Sequence, residues 1–190
     1  MSEREKWDGR YSAHNLARSC AASEFLSSNA NLLPPGGLAL DLASGEGRNS
    51  FYLAELGFHV IALDISIRAL EKCLKVARAR KLKLDAVVAD LSRFVMPENI
   101  FDVVVVFNYL QRSLAPSIIR CLRPGGVLIY ETFTKDHLRC NPGFNPEFVL
   151  GRGELAGLFP SLRLMKYREA TLTSGGSSRA VASLMAKKSD

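Results

Sequence analysis

Apolar and polar positions in this chain follow two alternating periods. Short apolar runs at 38–42, 60–63, 84–89, 101–107 and 127–133 read as strands, and each ends in a polar or glycine-bearing stretch. Between them the spacing becomes helical. Phe51, Leu53, Ala54 and Leu56 cluster for burial with Gly57 as a stop. Leu70, Cys73, Leu74 and Ala77 form one face of a helix from an N-cap at Ser66 to about Arg80. Residues 116–122 form a shorter helix, and Arg123-Pro124-Gly125-Gly126 a turn before the fifth strand. The run Phe101-Asp102-Val103-Val104-Val105-Val106-Phe107 has the continuous β-branched character of a central strand buried on both faces. Strands and helices alternating this regularly predict a mostly parallel sheet with helices on both faces.

The flanks are less regular. Leu16, Cys20, Phe25 and Leu26 predict a helix over 17–26, and 29–37 is a turn-rich connection into the first strand. Residues 135–150, with Pro142, Gly143 and Pro146, form an irregular loop at the carboxyl end of a strand, where function concentrates. A short helix over 153–159 and two strands, 162–169 and 179–187, close the chain. The strands flank the turn Thr173-Ser174-Gly175-Gly176-Ser177.

Chemistry gathers in the first βαβ unit, 38–66. The strand 38–42 leads into Ala43-Ser44-Gly45-Glu46-Gly47, then a helix, then a strand ending in Asp64. Glycines let backbone approach a ligand, and an acid at the end of the second strand accepts from ribose hydroxyls. Gly45 and Asp64 are nineteen residues apart, near the spacing of a nucleoside site. The dinucleotide fingerprint requires glycine at position 50, where this chain has Ser50. Asp41, just before the turn, would repel a pyrophosphate and suits an ammonium or sulfonium group. An ordinary βαβ unit with a glycine turn is the plain alternative.

The chain has 190 residues, enough for one compact α/β domain. No apolar run approaches the ~18 residues of a membrane span, and MSEREKWDGRYS is too polar for a secretory signal, so a cytoplasmic protein is expected. Cys20, Cys73, Cys121 and Cys140 are far apart, so neither a metal site nor a disulfide framework is expected. The net charge of +6 is spread along the chain without the aromatic interleaving of a nucleic-acid surface. No nucleic-acid or membrane partner is therefore expected. The basic cluster at 78–83 falls at a helix end, where cations offset the macrodipole.

Asp41-Leu42-Ala43-Ser44-Gly45-Glu46-Gly47 resembles motif I of the class I S-adenosylmethionine-dependent methyltransferases, acid-x-Gly-x-Gly-x-Gly, with Ala43 in place of the first glycine. Within that class the chain resembles the small bacterial methyltransferases related to the tellurite-resistance methyltransferase. The residues that carry this are Trp7-Asp8-x-Arg10-Tyr11, Ser23-Glu24-Phe25-Leu26, Gly47-Arg48-Asn49, Tyr130-Glu131-Thr132-Phe133, Asn145-Pro146-Glu147-Phe148 and Gly153-Glu154-Leu155. The amino-methylating enzymes commonly carry Asn/Asp-Pro-Pro-aromatic after the fourth strand; Asn108-Tyr109-Leu110 lacks both prolines.

The resemblance implies a Rossmann-like, seven-stranded, mostly parallel sheet with a C-terminal antiparallel hairpin. It implies a single domain: an N-terminal helical cap (1–35), a cofactor-binding core (36–133), a substrate-side loop and helix (134–160) and the closing hairpin (161–190). It places S-adenosylmethionine, and its product S-adenosylhomocysteine, against Asp41, Ala43, Ser44, Gly45, Gly47, Arg48 and Asn49. Asp64, Ile65 and Ser66 belong at the ribose and adenine. Ala89, Asp90 and Leu91 surround the adenine edge, and Phe107 and Asn108 face the transferable methyl. Trp7, Arg10, Tyr11 and Arg152 are expected on the substrate side, and Glu131 and Arg112 are the catalytic candidates. Arg10, Arg48, Arg112 and Arg152 suit an anionic acceptor, because guanidinium forks match oxyanions.

Methyl transfer to a small molecule (a metalloid oxyanion, thiol or similar soft nucleophile) is the favoured reading, by a monomer or homodimer. The alternatives are a methyltransferase acting on RNA or protein, a nicotinamide-dependent oxidoreductase, and a non-catalytic nucleoside-binding module.

Overall fold

A computed structural model describes residues 2–13 and 21–189. The first element, α1 (Glu3–Ser12), opens with a reciprocal capping box: the Ser2 hydroxyl accepts from Glu5 N, and the Glu5 carboxylate accepts from Ser2 N. A single turn, α2 (Glu24–Ser27), precedes β1 (Gly37–Leu42). The first half of the sheet then builds through α3 (Arg48–Glu55), β2 (Phe58–Asp64), α4 (Ile67–Ala79) and β3 (Leu84–Val88). The chain returns to the centre as β4 (Phe101–Phe107), followed by α5 (Ala115–Cys121) and β5 (Leu122–Phe133). Two single turns, α6 (His137–Cys140) and α7 (Glu154–Gly157), lead to the hairpin β6 (Leu162–Ser174) and β7 (Ser177–Lys188).

The strand order is β3-β2-β1-β4-β5-β7-β6; the first five are parallel, and β7 runs antiparallel to both β5 and β6. This is the doubly wound sheet with a closing hairpin that the pattern implies. The winding reverses between β1 and β4, which opens a crevice at their carboxyl ends, where such sheets bind ligands.

The sheet separates two apolar layers. Val104 and Val106 face one layer with Leu40, Leu42, Leu128, Ile118 and Leu155. Val103, Val105 and Phe107 face the other with Val60, Ala62, Phe51, Leu70 and Cys73. Every residue of β4 is buried, as its unbroken apolar run requires. Burying four valines in succession contributes roughly 1.5–3 kcal/mol each, against the entropy of ordering the strand. The one charged member, Asp102, accepts from Leu38 N at 2.7 Å and pairs with Arg123.

Element boundaries differ from expectation in instructive places. The turn at 123–126 lies inside β5: Leu122 pairs with Phe101, and Val127 with Val103, so four residues bulge opposite Asp102 alone. The hairpin strands run to Ser174 and from Ser177, longer than their apolar runs, because a two-glycine turn lets pairing continue to the tip. The irregular 135–150 stretch contains α6 and is closed at its base, where Lys135 N donates to Leu150 O and Leu150 N to Phe133 O, both at 2.9 Å. The expected helix over 17–26 lies partly outside the described residues; within them only Glu24–Ser27 is helical.

Leu128 is fully buried on β5. Leu128→Ala should cost about 2–5 kcal/mol and lower the thermal midpoint by roughly 5–15 °C. A shift below about 2 °C in calorimetry would contradict this account of the core.

Candidate active site

The crevice begins at the turn after β1. Ala43, Gly45 and Gly47 all have positive φ, of 55°, 56° and 88°. Ala43 therefore stands where glycine is easiest and takes a left-handed conformation at a cost of roughly 1 kcal/mol or more. Asn108, at the carboxyl end of β4, shares this conformation with φ 55°. A side chain at Gly45 would put its Cβ 2.7 Å from the Tyr11 hydroxyl, and one at Gly47 would run into Cys73 and the Phe51 ring. Close approach here requires glycine.

Two buried carboxylates flank the turn. Asp64 accepts from Gly45 N and from Ser66 N, each at 2.8 Å. Burial raises its pKa against these hydrogen bonds. Asp41 is 2% exposed, and the Ser50 hydroxyl donates to it at 2.6 Å. Burial pushes its pKa up to about 7, opposed by Ser50 and Arg48. Cys73 lies close enough that burial, with both carboxylates, raises its thiol to about 12. A neutral packing thiol follows. The buried Ser44 hydroxyl has no partner among the described residues.

The N-terminal helix docks on this rim. Asp8 accepts from the Ser66 hydroxyl at 2.6 Å and from Arg68 N, adding a second acid to the start of α4. Lys72 bridges the Tyr11 carbonyl and Glu46. Trp7 stacks on Tyr11, and Arg10 lies 5.1 Å from the Trp7 ring centre. Trp7, Arg10 and Tyr11 thus accompany the Gly45 turn and the start of α4, apart from Arg152. The signal that could have located this helix is the Ser2-x-x-Glu5 capping box.

Further along the crevice, Asp90 accepts from Ser92 N and the Ser92 hydroxyl, both through Oδ1, which lowers its pKa. Ile65 and Ala89 are half-buried, while Ser66, Leu91 and Phe107 are buried. Tyr109 lies on the exit of β4, and its hydroxyl donates to Gln111 Oε1 at 2.5 Å. Burial, then the nearby Asp90, Asp64 and Glu3, push its phenol up to about 12.

At the other end, the first turn of α3 sends out three polar side chains. Ser50 reaches Asp41, Asn49 Oδ1 accepts from Ser23 N at 2.9 Å, and Arg48 lines a cavity of about 310 Å³ with Ser23, Glu24, Thr173, Ser178 and Arg179. The Arg48 guanidinium makes no hydrogen bond or ion pair among the described residues. Burial, followed by Arg179, lowers its pKa.

Behind this cavity Glu131 is fully buried. It accepts from the hydroxyls of Ser23 (3.3 Å) and Ser183 (2.8 Å) and pairs with Arg168 (3.6 Å) and Arg179 (3.4 Å). Arg112 forks onto Glu154 and donates to the Glu147 and Val149 carbonyls, bracing the 135–150 loop. Arg152 lines a separate cavity of about 530 Å³ with Lys135, Leu150, Glu169 and Thr171. The four arginines expected to share one anion are therefore dispersed, and Arg179 joins Arg48 instead. Position 179 carries no local motif; only the hairpin register brings it back to the crevice.

Glu131 accepts two hydroxyl hydrogen bonds and pairs with two guanidiniums, from three segments. Glu131→Ala should destabilise by about 1–3 kcal/mol, since Arg168 and Arg179 keep partial solvent access. Urea unfolding should show Glu131→Gln losing less, and equal stability of all three proteins would overturn the hub.

The model of a methyltransferase domain matches residues 39–126. Hemagglutinin 1 of Eikenella corrodens is 32% identical over 139 residues, covering 69% of this chain and 45% of that protein. The probable S-adenosyl-L-methionine-dependent methyltransferase TehB of Haemophilus influenzae is 29% identical over 137 residues, covering 68% and 47%. The chain thus spans about half the length of these curated relatives.

The crystal structure of Haemophilus influenzae TehB superposes with TM-score 0.71 at 21% identity, covering 97% of this chain and 66% of that one. A structure described for conversion of a disulfide bond into a thioacetal group during echinomycin biosynthesis superposes with TM-score 0.75 at 20% identity, covering 99% and 93%. Residues 39–126 match a methyltransferase domain, and the chain resembles TehB in sequence and the class I S-adenosylmethionine-dependent methyltransferases in fold.

Proposed function

We propose that the protein methylates a small, anionic acceptor whose nucleophile is a soft atom. The carrying observation is the pair of buried carboxylates on either side of the Gly45 turn. Two acids there suit a ligand with cationic centres and ribose hydroxyls, and they oppose the pyrophosphate of a nicotinamide dinucleotide. The close-approach glycines and the orphaned Ser44 hydroxyl fit the same ligand.

In this reading Asp41 and the 43–47 backbone, with Asn49 behind them, hold the methionine portion of S-adenosylmethionine. Asp64 takes ribose hydroxyls. Ile65, Ala89, Asp90, Leu91 and Tyr109 frame the adenine, Ser66 fixes the rim through Asp8, and Phe107 and Asn108 border the reacting end. The cofactor supplies a methyl group on a cationic sulfur, which passes to a lone pair of the acceptor while the sulfur keeps the old bonding electrons.

Everything else falls to this chain: orienting two reactants in line and excluding water. The cavity beside Arg48 and Arg179 has the size of a small-ligand site, at the lower end of the roughly 300–1,000 Å³ range. Two guanidiniums there, one with no ion partner among the described residues, suit an oxyanion or carboxylate. Glu131 and Arg112 act as braces, since their polar atoms are engaged by other residues. A thiolate, selenide or metalloid lone pair needs no general base. The echinomycin enzyme, described as acting on a disulfide, is in keeping with sulfur as the nucleophile. No helix among the described residues is long and apolar enough to cross a membrane.

Thermal unfolding with S-adenosylhomocysteine and, separately, with NAD tests the cofactor. At ~100 times its dissociation constant a ligand stabilises by roughly 2.7 kcal/mol, a rise of about 5–10 °C for a domain this size. The rise is expected with S-adenosylhomocysteine only; a rise with NAD only would replace this reading by an oxidoreductase. Release of S-adenosylhomocysteine should then depend on thiol, selenol or metalloid oxyanion acceptors. At pH ~8.5, above the Asp41 step, Arg48→Gln should raise the acceptor KM about tenfold or more with cofactor affinity held within about threefold. An unchanged KM would remove Arg48 from the acceptor site.

A further inference from the structure

Position 50 enters the sequence comparison only as the place where a dinucleotide site would have glycine. In the fold it has a different part. Ser50 is the third residue of α3, fully buried, with its hydroxyl 2.6 Å from Asp41 Oδ2. We propose that Ser50 is a positioning residue for cofactor binding: it orients the buried Asp41 carboxylate toward the cofactor's ammonium and holds it in the charged form. The proposal rests on the S-adenosylmethionine reading above.

A carboxylate taken out of water resists ionisation unless donors and cations replace the lost solvation. Four groups face Asp41 from three elements. Ser50 and Arg48 of α3 favour the charge, Asp64 of β2 opposes it, and Cys73 of α4 stays neutral. Of the stabilising pair, Arg48 points into the acceptor cavity and makes no ion pair with Asp41, which leaves Ser50 as the direct donor. Ser50 contributes through both its hydroxyl and its backbone N–H, and only the hydroxyl depends on the side chain.

The consequence is a proton linked to cofactor binding. Asp41 has a folded pKa near 7, above the ordinary carboxylate value. In the free protein it is protonated below that pH and must lose the proton to meet an ammonium. Affinity should therefore be constant above about pH 7 and fall about tenfold per pH unit below it. Removing the Ser50 hydroxyl removes a stabiliser of the charged form, so the break must move upward. Asp64 also has a raised pKa, but Ser50 does not touch it, so a substitution at 50 moves only the Asp41 step.

Calorimetric titration of S-adenosylhomocysteine from pH 5.5 to 9, with wild type, Ser50→Ala and Ser50→Cys, tests this. Wild type should show the break near pH 7. Ser50→Ala should bind about tenfold or more weakly at pH 7.5 and recover toward wild type as pH rises, its break shifted up. Ser50→Cys keeps the volume with a weaker donor and should shift the break less, in the same direction; it carries the test should Ser50→Ala not fold. Wild-type affinity and an unmoved break in the folded variants would overturn the Ser50 role and leave the cofactor assignment intact. Absence of binding by wild type at every pH would overturn the cofactor reading itself.

Discussion

Two acids cannot share one buried turn without something to hold them there. Asp41 and Asp64 lie at the carboxyl ends of adjacent strands, β1 and β2, and both are nearly out of water. Their stability relies on the groups around the turn: Gly45 N and Ser66 N at Asp64, and Ser50 at Asp41. The turn must be glycine-bearing for its backbone to reach Asp64, and α3 must begin at Arg48 for Ser50 to reach Asp41. The helix starts, the strand ends and the docking of α1 through Asp8 all serve this arrangement. Carboxylates kept under such conditions are expected of a site and not of a packing core.

From that turn the site divides in two. On one side lie Asp64, Asp90 and Tyr109, beside α1, which docks there through Asp8. On the other, Arg48 opens onto the cavity that the closing hairpin completes with Arg179. Glu131 ties the second side together, since its partners come from the 21–24 segment, from β6 and from β7. The hairpin therefore does more than end the sheet. It carries one wall of the cavity beside Arg48, and β5 carries the carboxylate that pairs with that wall.

The sheet was largely legible in the sequence because its central strands are buried on both faces, and such strands show as unbroken apolar runs such as 101–107. Asp41, the glycine turn and Asp64 were legible because their spacing is local. What could not be read was anything set by long-range register. Arg179 returns to the crevice through pairing of β5 with β7, and Arg112 loses its expected role to Glu154, forty-two positions away. Glu131 read as either a general base or a brace at a strand end; its hydroxyl donors come from positions 23 and 183 and its ion-pair partners from 168 and 179. Ser50 was visible as a departure from one motif, and its bond to Asp41 appears only once α3 is folded back on β1.

The central claim is that the turn between Asp41 and Asp64 binds S-adenosylmethionine. Titration calorimetry of S-adenosylhomocysteine into wild type and Asp64→Ala at pH 8 addresses it most directly, since Asp64 is the acid assigned to the ribose. The account predicts one site per chain in wild type and at least about tenfold weaker binding in the variant. Equal affinity in the two folded proteins would place the cofactor elsewhere and contradict it.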